Sequence, residues 1–318
     1  MNNLKFPKFY CPFPSAINQH CEAAGQHTLD WVRSFNLVTD ESVYQSLLAA
    51  NLHVQTARGY PNASLETLKI FNDFMFWGFF ADDQFEKAGM SKQPEILEPE
   101  HARLVNILKG AEVTDIDTPV ARAWRDIVQR LHQFPHATSE WMLRFTKNME
   151  DVFQGVRWEA LNNSQGITLD FATFTKIRNF TIWMYPCIDL ILLEARISLP
   201  PEVIEHPIVK RLNLATSNVI AWSNDIFSFE KDTRAGNTHN LVIVLQHEYQ
   251  IPLQEAFDRA AELHNAEVRI FIELSAQLPS FGAEIDTNLQ RYLSGLRSWL
   301  RGNLDWTLES PRYMIAHP

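Results

Sequence analysis

Apolar residues recur along this chain at helical spacing in long segments, and strict alternation of β-branched residues with polar ones is nearly absent. A chain patterned in this way buries its apolar stripes by packing helix on helix, so the expected fold class is all-α. Glycine usage agrees with that reading. The 318 residues contain 11 Gly, about half the usual frequency of roughly 7%. No GxGxxG or GxxxxGK[ST] string is present, which argues against the Gly-rich nucleotide-binding folds.

Helix starts are marked by Ser64, by Asp117-Thr118-Pro119, by Thr138-Ser139, by Asp170 and by Pro200-Pro201, the last opening a helix over EVIEHPIVKRL. Residues 87–99 and 110–117 read as surface loops. No repeat, composition shift or linker divides the chain, so residues 1–318 are expected to form one domain of ten or more helices. Residues 1–14, rich in proline and rings, should lie extended over the bundle.

The balance of 28 basic against 38 acidic residues gives a net charge of −10. That disfavours a nucleic-acid partner, whose phosphates need clustered Lys and Arg. An anionic ligand would have to meet local cations or a metal held by the carboxylates. Cys11, Cys21 and Cys187 suggest neither a disulfide framework nor a zinc site, and a reducing cytoplasm is expected. The longest uncharged stretch is residues 42–57 and contains four amide or imidazole side chains. It falls short of the ~20 apolar residues that span a bilayer, so no stable membrane insertion is expected.

Two constellations carry chemistry. In the first, FFADDQFE closes an aromatic run that begins at Phe71, and Asp82 and Glu86 lie one helical turn apart with Asp83 beside them. Three crowded carboxylates suit a hard cation such as Mg²⁺, although by themselves they read equally well as a solvated acidic helix end. Phe71, Met75, Gly78 and Phe79 share the face of Asp82, which suggests an aromatic-lined cavity, while Phe74, Phe76 and Phe80 read as ordinary core. In the second, NDIFSFEKD, the residues Asn224, Ser228 and Asp232 stand at i, i+4 and i+8. This oxygen ladder would hold Mg²⁺ well only when phosphate oxygens complete its octahedron, and Lys231 could meet the same phosphate. Alone, it reads as a polar helix end.

Together DDQFE and NDIFSFEKD resemble the aspartate-rich motif and the Asn/Ser/Glu triad of the class I terpene synthases, particularly the bacterial single-domain enzymes. The opening FPKFYCPFPSAINQH, an Arg 46 positions before Asn224 (Arg178) and the terminal Arg312-Tyr313 pair after Trp306 are also similar to that family.

The resemblance implies a helical bundle around a central apolar cavity and Mg²⁺-dependent cyclisation of an isoprenyl diphosphate, farnesyl diphosphate foremost, to a sesquiterpene. Three Mg²⁺ ions would be present with substrate bound. It implies metal ligation by Asp82, Asp83 and Glu86 on one wall and by Asn224, Ser228 and Asp232 on the other. Arg178, Lys231, Arg312 and Tyr313 would hold the diphosphate, and Phe79 and Trp306 would face the carbocation. The chain would act as a monomer or homodimer.

Three departures from the family pattern stand out. Asp232 replaces the usual Glu, the first motif ends in Glu86, and Thr181-Ile182 follow Arg178 without the small Gly often found at the family's helix break. The alternatives are a prenyl chain-elongating synthase and a non-catalytic helical scaffold that binds a partner through exposed rings. His53, His101, His132, His136, His206, His239 and His247 have no Cys or Glu at metal spacing and read as scattered surface or core residues. The Arg122, Arg125 and Arg130 set reads as a solvated helix face.

Overall fold

The computed structural model describes residues 4–38, 40–87 and 93–312, without the side chains at positions 42, 43, 46, 82–87 and 94. Among the described residues there are fourteen helices and no strand. They are α1 (Cys21–Ser34), α2 (Glu41–Ala49), α3 (Leu52–Gly59), α4 (Leu65–Lys87), α5 (Pro94–Leu108), α6 (Pro119–Leu131) and α7 (Ser139–Gln165). After these come α8 (Phe171–Thr181), α9 (Met184–Ala195), α10 (Pro201–Ile204), α11 (Pro207–Ala235), α12 (Leu241–Tyr249), α13 (Leu253–Ala276) and α14 (Ala283–Glu309).

Capping explains several boundaries. Thr118, Thr138 and Asp170 accept hydrogen bonds from the backbone N–H of Ala121, Trp141 and Thr173, satisfying donors that the first turn leaves unpaired. Gly166 and Gly236 close α7 and α11 in the left-handed conformation.

Two expectations fail at prolines. The stretch read as a loop over 87–99 contains the start of α5, because Pro94 occupies a first-turn position where the missing N–H costs nothing. The helix expected after Pro200-Pro201 lasts only four residues. Pro207 then opens a new helix, with His206 accepting from the Ile208 N–H.

Residues 4–20 carry no helix and lie across the bundle. The Phe6 and Phe9 rings sit 4.7 and 5.5 Å from Phe227 on α11, and the Tyr10 N–H donates to Asn265 Oδ1 on α13.

The main core runs from α1 to α14, and a second cluster lies between the C-terminal half of α11, α12 and α13. Helix α14 approaches its neighbours closely where it carries glycine. A Cβ at Gly295 would stand 2.3 Å from Ile191 Cγ2 on α9, and one at Gly302 would stand 2.8 Å from the Arg58 backbone on α3. No helix among the described residues is long and apolar enough to cross a membrane.

Candidate active site

Helices α4, α7, α8, α9, α11 and α14 surround a cavity of about 480 Å³, within the roughly 300–1,000 Å³ of small-molecule sites. Helix α4 gives it Phe74, Met75, Gly78 and Phe79. Phe74 is thus wall as well as core, while Phe76 and Phe80 are buried away from the cavity and Phe71 packs on Tyr60 and Phe134. The helix continues through positions 82, 83 and 86, but the side chains of Asp82, Asp83 and Glu86 lie outside the described residues. So does all of Tyr313.

On the wall formed by α11, Asn224, Ser228, Lys231 and Asp232 line the cavity together. Ser228 Oγ donates to Asp232 Oδ2 at 2.6 Å, which leaves the hydroxyl lone pairs for another partner. An amide, a hydroxyl and a carboxylate offer only oxygen, a set that fits a hard divalent cation completed by ligand oxygens.

Arg178 reaches the same wall from α8. Its Nε donates to Asp225 Oδ1 at 2.9 Å, its Nη2 to Asn224 Oδ1 at 2.8 Å and its Nη1 to Thr181 Oγ1 at 3.1 Å. In this arrangement the guanidinium holds the oxygen of Asn224 that a cation would take. Burial pushes the Asp225 carboxyl up, while Arg178 and the Leu241 N–H pull it back down. Asp225 directly follows Asn224 yet points into the core, as a 100° step around a helix requires.

The helix break occurs without glycine. Helix α8 ends at Thr181, and Trp183 takes φ +61°, a left-handed conformation that costs a non-glycine residue about 1–2 kcal/mol. Its ring is held by edge contacts with Trp77 and Phe153, and it lies 3.4 Å from where a Cβ on Gly78 would be. Ile182 and Trp183 both line the cavity.

At the C-terminal end, Arg312 lines the cavity with its guanidinium 5.3 Å over the Phe79 ring. Trp306 lies behind Phe79, edge-on at 6.1 Å, and its indole N–H donates to the Ala50 and Asn51 carbonyls. It is fully buried and is not part of the cavity wall, whereas Phe79 and another indole, Trp299, seven residues earlier, both line it.

Trp183, Trp299, Asn303 and Glu159, to which the sequence assigned no role, also line the cavity, as does His239, read there as a scattered surface or core residue. Burial and the nearby Arg178 push His239 down to about 3, so its ring is neutral, and its Nε2 has no hydrogen-bond partner among the described residues. The reading of His53 also changes, because α1 and α3 bring Cys21, Glu22 and His53 donor atoms within 4.8 Å of one another, outside the cavity. Arg130 is no solvated residue; it pairs with buried Asp73 at 2.8 Å and with Asp126 at 2.6 Å.

Residues 73–269 match the family model "Terpene synthase family 2, C-terminal metal binding". The chain belongs to this terpene synthase family. It is 38% identical over 313 residues to a germacrene A synthase of Nostoc punctiforme, covering 98% of this chain and 96% of that protein. It is 37% identical over 306 residues to a (+)-T-muurolol synthase of Roseiflexus castenholzii, named as farnesyl diphosphate cyclizing, covering 96% and 93%.

The crystal structure of germacradien-4-ol synthase from Streptomyces citricolor superposes with a TM-score of 0.84 at 25% identity, over 95% of this chain and 98% of that one. The protein is accordingly a terpene synthase with the helical class I fold and a metal-binding region. The chain-elongation and scaffold alternatives are set aside.

Proposed function

We propose that this terpene synthase ionises farnesyl diphosphate with Mg²⁺ and folds the resulting cation into a cyclic sesquiterpene, releasing diphosphate. The observation that carries this reading is a division within one cavity. Arg178, Lys231 and Arg312 gather with the oxygen ladder of Asn224, Ser228 and Asp232, while Phe74, Met75, Trp183 and Trp299 supply an apolar, aromatic remainder. The synthase names of the relatives point to the same substrate class.

Asn224, Ser228 and Asp232, together with Asp82, Asp83 and Glu86 of α4, would hold three Mg²⁺ ions once substrate is present. When bound, the ions withdraw charge from the leaving diphosphate oxygen. The chain's own groups do the rest. Arg178, Lys231, Arg312 and Tyr313 donate hydrogen bonds to the diphosphate and keep it from recapturing the cation. The rings exclude water and offer π faces to positive charge without being nucleophiles. Residues 1–318 would act as one domain in the cytoplasm, where the free thiols of Cys11, Cys21 and Cys187 stay reduced.

The test is incubation with Mg²⁺ and geranyl, farnesyl or geranylgeranyl diphosphate, with gas chromatography and mass detection of the organic extract. A cyclic C15 product from farnesyl diphosphate is expected. Folded protein that yields no terpene from any of the three would overturn the reading.

A further inference from the structure

Asn240 stands eight residues beyond Asp232, fully buried at the N-cap of α12. Its side chain is engaged at both ends. Oδ1 accepts the Val242 N–H at 2.9 Å and so caps α12. Nδ2 donates to the main-chain oxygen of Asp225 at 2.7 Å and to Asp232 Oδ2 at 2.8 Å. Both amide hydrogens are therefore used, one on the backbone of α11 and one on a carboxylate a further two turns along it.

Asp232 Oδ2 also receives the Ser228 hydroxyl. Two donors converging on Oδ2 fix the rotation of the carboxyl group about χ2, which is otherwise broad and roughly two-fold. Oδ1 has no partner among the described residues and remains for a cation. We infer that Asn240 is a positioning residue, an amide brace that ties the start of α12 to Asp232 and orients that carboxylate for metal. The inference rests on the reading of Asp232 as a ligand in the proposed function. A ligand whose orientation is set by a buried donor binds its ion more tightly than one free to rotate, and loss of such a partner typically costs ~10–100-fold in metal affinity or activity.

Serine caps helices about as well as asparagine but cannot reach Asp232, so Asn240→Ser separates the two jobs of this side chain. The measurement is titration calorimetry of Mg²⁺ in the presence of inorganic diphosphate, beside melting temperature and the split between KM and kcat. Asn240→Ser should melt close to the parent protein and lose ~10–100-fold in Mg²⁺ affinity. In an Asp232→Asn background the same change should cost less than about 2-fold, because the brace then has no charged ligand to orient.

Unchanged Mg²⁺ affinity in Asn240→Ser, or an equal loss in both backgrounds, would overturn the inference. If Asp232→Asn alone leaves Mg²⁺ binding intact, the ligand assignment fails instead. Should Asn240→Ser melt low, Asn240→Asp keeps the cap and the shape while replacing the donor by an acceptor, and it should lose at least as much affinity.

Discussion

Arg178→Met tests whether the guanidinium at the cavity serves structure, chemistry or both. The change leaves Asp225, 1% exposed, with the Leu241 N–H at 2.9 Å as its one hydrogen-bond donor among the described residues. Breaking a buried pair by removing one member costs about 3–5 kcal/mol, a large part of the ~5–15 kcal/mol that holds a folded domain. At roughly 2 °C per kcal/mol for a chain of this size, the melting temperature should fall by about 6–10 °C.

The deficit should also depend on pH in a definite direction. Without Arg178, burial holds the folded-state pKa of Asp225 above its unfolded value of about 3.9. Its contribution is then fully present below that value and is lost as pH rises through the folded one. Adding Asp225→Asn should therefore recover most of the melting temperature and remove the pH slope. Turnover should stay ~10²–10³-fold down in both variants, because the donor to the diphosphate is still missing. Melting curves at pH 4 and 8, paired with product quantification, read both effects. Arg178→Met melting within about 2 °C of the parent would refute the structural half, and recovered turnover in the double variant would refute the chemical half.

Three other outcomes follow from the geometry. Gly78→Ala adds a methyl group 3.4 Å from the Trp183 ring, which is ordinary contact, so the melting temperature should hold while the product distribution by gas chromatography changes. Gly295→Ala drives a Cβ to 2.3 Å from Ile191 and should cost about 1–3 kcal/mol in urea unfolding, with Ile191→Ala restoring part of it. Burial pushes the Glu194 carboxyl up to about 7 against the Asn62 N–H. A raised folded-state pKa means this group's stabilising term is complete below about 4.3 and is lost as pH rises through 7, so Glu194→Gln should flatten the stability profile across that window.

How much of this was legible before folding depended on whether a signal was local. The ladder Asn224, Ser228, Asp232 is written in a four-residue period, and a helix realises that period directly. The caps at Thr118, Thr138 and Asp170 are likewise short-range chemistry. Asp225 and Asn240 carried no comparable mark, because their partners are brought near only when α8, α11 and α12 pack. Trp183 was hidden for a different reason. Local propensity argues against an indole in the left-handed region, and it is tertiary packing on Trp77 and Phe153 that holds it there. Trp306 shows the converse error, a ring well placed in sequence that faces two carbonyls instead of the cavity.

The extended segment ahead of α1 has a consequence for how the molecule is made. The Lys5 N–H bonds to Gln254, the Tyr10 N–H to Asn265 and the Ser15 hydroxyl to Asp305, partners 249, 255 and 290 positions away. This stretch leaves the ribosome long before its partners do, and its docking surface does not exist until α13 and α14 have emerged. At ~5–20 residues per second the wait is on the order of 10 to 50 s. From its own synthesis until that docking, Phe227, on the helix that carries the oxygen ladder, lacks the cover of Phe6 and Phe9. The extended segment is thus among the last pieces laid down, and its arrival covers the helix that carries the oxygen ladder.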